Sequence, residues 1–144
     1  MKTRTKARGV ALQVLYELDV VQHPIGRVLK ERIDAAALDD GQTTFIRELV
    51  LGVHPLIPKL DAYISEHAPE WPLEQVAIID RNIIRLALWE FAVTKNTPLK
   101  VAINEAVELA KTYGSDSAAR FVNGVLGSLA DRQNEIQQAF QSDE

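Results

Sequence analysis

Apolar residues return every three or four positions along almost the whole chain, and no stretch alternates at period two for long enough to make a strand. Ala7, Ala11, Val14 and Leu18 share one face, Val28, Ile33 and Ala36 a second, and Phe45, Leu49 and Val53 a third. This spacing puts side chains on one stripe of a 3.6-residue helix. The strongest segment runs from Leu73 to Thr94. It carries Val76, Ile79, Ile83 and Leu86 on one side and Ala77, Ile84, Leu88 and Phe91 on another. A helix apolar nearly all round is central and covered by its neighbours.

Proline and glycine mark the breaks. His23-Pro24 separates the first two helices, and Asp39-Asp40-Gly41 reads as a turn, after which Thr43 or Thr44 can cap the third helix. Pro55 and Pro58 interrupt a pattern that would otherwise reach about His67. Each removes an N–H and crowds the preceding turn, so a kink or break is expected between Gly52 and Pro58. Pro69-Glu70-Trp71-Pro72 is the clearest boundary, with about three helices before it and three after. The fifth helix opens at Thr97-Pro98, carries Ile103, Val107 and Ala110, and stops at Gly114. The sixth starts at Ser115 or Ser117 and turns Phe121, Val122, Val125, Leu126 and Leu129 to the core. The polar tail after Arg132 is expected to fray. The expected fold is all-α: one compact helical domain over 1–144, of two three-helix subdomains at about 1–69 and 70–144.

Composition removes most chemistry. The 144 residues are 47% hydrophobic and 25% charged, an ordinary globular mix. Cysteine is absent, which excludes disulfide scaffolds, Cys-based zinc sites, iron–sulfur clusters and thiol nucleophiles. His23, His54 and His67 have no partners at metal-ligand spacing, and HExxH, GxSxG, GxGxxG and GxxxxGK[ST] are all missing. No catalytic residue, metal or cofactor is expected. No apolar run is long enough for a membrane span or a signal-peptide core, and the expectation is a cytoplasmic chain.

Charge is unevenly placed. Lys2, Arg4, Lys6 and Arg8 put +4 in the first eight residues, while the other 136 hold 12 basic and 20 acidic side chains, a net −8. A basic arm on an acidic body reads as an anion site for nucleic acid or an acidic partner, or as a solvated tail. Two further features stand out. Glu90 lies on the stripe of Ile79, Ile83 and Leu86, so it needs a buried partner, with Asn104 or a backbone N–H after Thr94 as candidates. Arg120-Phe121-Val122-Asn123-Gly124 places Asn-Gly within a helical pattern, which suggests a close helix crossing. Phe121 reads either as core or as an aromatic on which an unpaired base could stack.

Three stretches carry a family resemblance. They are Lys6-Ala7-Arg8 with Ala11-Leu12-Gln13, Leu15-Tyr16 and Asp19; Trp71 with Val76, Asp80-Arg81-Asn82-Ile83-Ile84-Arg85-Leu86-Ala87 and Glu90; and Val101 to Lys111 with Tyr113-Gly114 and Phe121-Val122-Asn123-Gly124-Val125-Leu126. Over nearly its whole length the chain resembles NusB, the bacterial transcription antitermination family. The resemblance implies binding to boxA of nascent ribosomal RNA together with the ribosomal protein NusE, and entry into an RNA polymerase elongation complex. By motif position it assigns RNA contacts to Lys2, Arg4, Lys6, Arg8, Gln13 and Tyr16, and to Arg120, Phe121 and Asn123. It assigns the partner surface to Asp80 and Arg81 on the central helix. The competing reading is a non-catalytic helical protein-binding adaptor without direct RNA contact. Whether the chain forms a homodimer is left open.

Overall fold

The computed structural model describes residues 2–142, and among these every regular element is helical. They cluster into two compact units that part between Pro55 and Leu56.

The first unit holds α1 (Thr3–Val20), α2 (Ile25–Ala36) and α3 (Asp40–Val53). Helix α1 packs on both others, and Ala7, Gly9, Ala11, Leu12, Val14 and Leu15 are buried along it. Pro24 is the N-cap of α2, and its carbonyl accepts the N–H groups of Arg27 and Val28. The cap of α3 is Asp39, not Thr43 or Thr44: Asp39 Oδ1 accepts the Gln42 N–H at 2.9 Å. A carboxylate satisfies this end better than a hydroxyl because it also faces the positive end of the helix dipole. Gly41 accordingly lies inside the first turn of α3 rather than in a loop.

The proline interruption is a full break. Helix α3 ends at Val53, a single 3-10 turn spans His54–Leu56, and α4 (Ile57–His67) follows. Pro58 falls in the first turn of α4, where its missing N–H has no intrahelical partner to lose.

The second unit contains α4, a 3-10 turn (Leu73–Gln75), α5 (Ile78–Leu88), a π turn (Trp89–Val93), α6 (Leu99–Tyr113), α7 (Ala118–Ala130) and α8 (Gln133–Ser142). The Pro69–Pro72 boundary read from sequence is a bend within this unit. The central helix starts at Ile78, five residues later than expected, because Val76 and Ala77 are extended (ψ 140° and 139°) after the short turn that buries Leu73. From Asn82 to Leu88 every residue of α5 is buried, and the helix packs on α4, α6 and α7. Arg85 is among them. Its guanidinium donates to both carboxylate oxygens of Asp61 on α4, each at 2.7 Å, and to Asn82 Oδ1 at 3.1 Å. Asn82 in turn donates to the Ile78 carbonyl at 3.0 Å.

Glu90 is buried in the π turn, 3% exposed, and it does have a partner after Thr94. One such partner is a side chain that the pattern did not single out: the Thr97 hydroxyl donates to Glu90 Oε1 at 2.9 Å. Thr97 is thereby drawn away from capping, and Pro98 takes the N-cap of α6. The tail expected to fray is instead α8. Ile136 and Phe140, four apart, are buried, and Gln137 Nε2 donates to the Phe91 carbonyl of the π turn at 2.9 Å. Phe140 also packs on Tyr63, with ring centroids 4.9 Å apart.

The two glycines of the signature segments differ. Gly114 has an ordinary φ of −91°, so space rather than conformation demands it. A Cβ there would collide with Ala118 Cβ and sit 2.8 Å from the Ala110 carbonyl. At Gly124 no helix crosses closely. The Trp71 indole lies there, and a Cβ would meet it at an ordinary 3.6 Å. Gly114→Ala should therefore lower the melting temperature, while Gly124→Ala should hold or raise it, by up to about 1 kcal/mol of helix propensity. Asp61→Ala should cost on the order of 3 kcal/mol in urea unfolding, because it strands a buried guanidinium.

Candidate nucleic-acid interface

Three of the four N-terminal cations ride on a helix rather than on an extended arm, and Lys2 is its N-cap. Helix α1 begins at Thr3, so each residue turns about 100° and cations two apart lie about 200° apart. Arg4 and Arg8 thus share one face, with Lys6 near the opposite one. Lys2, Arg4 and Lys6 are exposed, whereas Arg8 is only 7% exposed. The guanidinium carbons of Arg4 and Arg8 lie 3.9 Å and 5.2 Å from the centroid of the Phe45 ring on α3. No acidic residue occupies the first turn of α1, and its N-cap makes no side-chain bond. Both features leave that helix end favourable to anions.

Further along α1 the expected contacts separate. Tyr16 is 41% exposed. Gln13 is half-buried and already engaged, with its Oε1 accepting from Arg32 at 3.3 Å. Arg32 also pairs with Glu17 at 3.0 Å, and the His23 ring lies 2.9 Å from the same carboxylate. The hydrogen bond to His23, with help from Arg32, holds the Glu17 carboxyl below its ordinary pKa.

In the second unit Phe121 is half-buried and meets Trp71 edge-on, with centroids 6.4 Å apart and planes at 84°. It is therefore part of an aromatic pair at the rim of the core. Arg120 and Asn123 are exposed one turn to the side and share a shallow depression with Asn104, Glu108 and Lys111. Of the two residues expected at a partner surface, Asp80 is 7% exposed and Arg81 half-buried. Asp80 Oδ1 and Arg81 Nε have no hydrogen-bond partner. Burial raises the Asp80 pKa above its ordinary value. Asp80 lines a concavity of about 380 Å³ whose other walls include Trp71, Val76, Ser117 and Phe121.

Sequence reasoning missed Phe45 as a contact of the cations, because it also fits the apolar face of α3. It likewise missed Trp71 as the partner of Phe121, since nothing in a fifty-residue separation signals a ring pair. Among the described residues no cluster of His, Asp or Glu could hold a metal ion, and no helix is long and apolar enough to cross a membrane.

A family model described as the NusB family matches residues 5–131. The chain belongs to the NusB family. It is 46% identical over 134 residues to the transcription antitermination protein NusB of Roseiflexus castenholzii, covering 92% of this chain and 94% of that one. It is 41% identical over 129 residues to the NusB of Bacillus subtilis, covering 90% and 95%. A crystal structure of the antitermination factors NusB and NusE in complex with dsRNA superposes with a TM-score of 0.79 at 26% identity, covering 96% of this chain and 98% of that one. As a NusB-family member the chain is a transcription antitermination factor, and the family is not catalytic.

The unpartnered Asp80 of this NusB-family chain has a measurable consequence. Its folded pKa is raised, so the group opposes folding once ionised. Stability from this group is greatest below its unfolded pKa near 3.8 and declines as pH rises through the folded value. Asp80→Asn should therefore raise the melting temperature at pH 7. The gain should shrink on acidification and vanish below about pH 3.8, the ordinary carboxyl value.

Proposed function

We propose that this chain binds boxA-type single-stranded RNA of nascent ribosomal transcripts together with the ribosomal protein NusE, and that the pair joins the RNA polymerase elongation complex. The observation that carries the reading is Asp80. A buried carboxylate oxygen without a hydrogen bond, as Asp80 Oδ1 is, is costly in the free protein. An incoming cationic side chain that enters the concavity beside Trp71 and Phe121 relieves that cost, so the site favours a basic protein partner.

Magnitudes favour joint rather than separate binding. Most of the chain is acidic, with a net −8 beyond the first eight residues, and it repels phosphate away from the basic end of α1. RNA binding by the chain alone is weak on that ground. A basic partner offsets the repulsion, and two weak contacts on one RNA multiply affinity by about 10²–10⁴ without any new contact. Within this reading Lys2, Arg4 and Lys6 meet phosphates, Arg8 supports Arg4 from below, and Tyr16 and Phe121 offer rings to bases. Gln13 contributes only if Arg32 releases it.

Gel mobility of a boxA RNA oligonucleotide, with and without NusE, tests the reading. NusE should raise RNA affinity at least about tenfold, the lower side of that linkage gain. Asp80→Asn, which removes the charge and keeps the shape, should reduce the gain while leaving RNA binding by the chain alone unchanged. Equal RNA affinity with and without NusE overturns the cooperative reading, and a NusE complex that binds no RNA supports the protein-binding adaptor.

A further inference from the structure

We propose that Phe45 is a positioning residue for RNA binding, holding the Arg4 guanidinium on its ring as a pre-set contact for a backbone phosphate. The proposal rests on the RNA-binding reading above and goes beyond it, since Phe45 carries no charge and belongs to α3 rather than to the basic helix end. Three observations meet at this ring. The Arg4 guanidinium carbon lies 3.9 Å from the ring centroid, yet Arg4 as a residue is exposed, so its outer side remains open to a ligand. Arg8, one helical turn on, is buried with its guanidinium carbon 5.2 Å from the same centroid, so one ring serves two guanidinium groups. Phe45 itself is half-buried, fixed in a helix that packs along α1.

An arginine on a solvated helix end samples many rotamers, and a ligand must freeze them. A guanidinium over an aromatic face is attracted by the ring quadrupole and has lost much of that freedom before the ligand arrives. The N–H groups at its edge remain available, in the planar fork that matches phosphate oxygens. Lysine cannot reproduce this, because its ammonium is a compact, strongly hydrated point charge. The ring thus turns one of several surface cations into a directed one. Lys2 and Lys6, on the other side of α1, lack such a ring among the cation–ring contacts of the described residues.

The test measures binding of a fluorescent boxA RNA oligonucleotide to the full chain in the presence of NusE. Phe45→Leu keeps the apolar contact and removes the ring, and it should weaken binding about three- to tenfold by freeing the Arg4 rotamers. Phe45→Tyr keeps the ring and should bind within about twofold of the parent. In an Arg4→Ala background Phe45→Leu should change affinity little, since the side chain it positions is gone. Arg4→Lys, which touches no core residue, should lose affinity about as Phe45→Leu does while keeping the salt slope; Arg4→Ala should flatten that slope by about 0.7. An equal loss from Phe45→Leu with and without Arg4 would show a structural effect on α3 and overturn the proposal. Parent-like binding by Arg4→Lys would overturn it as well, even if Phe45→Leu fails to fold. If the parent itself binds no RNA with or without NusE, the RNA-binding reading falls and this inference with it. If the parent binds and the Phe45 and Arg4 variants bind equally well, the roles of Phe45 and Arg4 fall while RNA binding by the chain stands.

Discussion

One ion pair organises the larger unit. Arg85 sits among the buried apolar residues Ile83, Ile84, Leu86, Ala87 and Leu88 of α5, and desolvating a guanidinium there is expensive. Two 2.7 Å bonds to Asp61 and one to Asn82 offset that cost only if α4 lies against α5 in a single register. The pair therefore selects one arrangement among the many that apolar packing alone would permit. Once α4 and α5 are fixed, Tyr63 on α4 gives Phe140 of α8 its ring contact, and the π turn continuing α5 offers the Phe91 carbonyl to Gln137. The end of the chain is held at two points that both trace back to that helix pair.

Much of the fold was legible because helices report themselves by period. The stripes of Ala7, Ala11 and Val14 and of Val122, Val125 and Leu129 are buried as the spacing demanded. Prolines announced the break at Pro55, since a missing N–H acts locally. What escaped was non-local. Ile136 and Phe140 are only two apolar residues in a polar tail, too few for a periodic signal, yet four-residue spacing suffices once a groove is present to receive them. Thr97 looked like a cap until Glu90, seven residues earlier, claimed its hydroxyl. Asp39 overtook two threonines because a carboxylate and a helix dipole reinforce each other.

The candidate site was legible in its residue types and less so in its geometry. The cations at positions 2, 4, 6 and 8 look like one cluster in a line of text, and would be one on an extended chain. A helix sorts them onto two faces, because two residues span more than half a turn. Asp80 looked like a surface charge because acidic residues usually are; its burial follows from the extended Val76-Ala77 segment, which sets the start of α5 and hence which side Asp80 faces. Phe45 lies on the apolar face of α3, and that its ring also meets two guanidinium groups depends on how α3 packs along α1, which no local pattern encodes.

The π turn at Trp89–Val93 constrains chain length as well as composition. A π turn holds one more residue per turn than the α-helix around it, so it behaves as a stored insertion. Deleting one residue there would let α5 continue as a regular helix and rotate everything downstream by about 100°. Thr97 would then miss Glu90, and the Phe91 carbonyl would turn away from Gln137. Single-residue gaps among related chains should consequently be rare across this segment and common in the exposed connections, such as the one between α1 and α2.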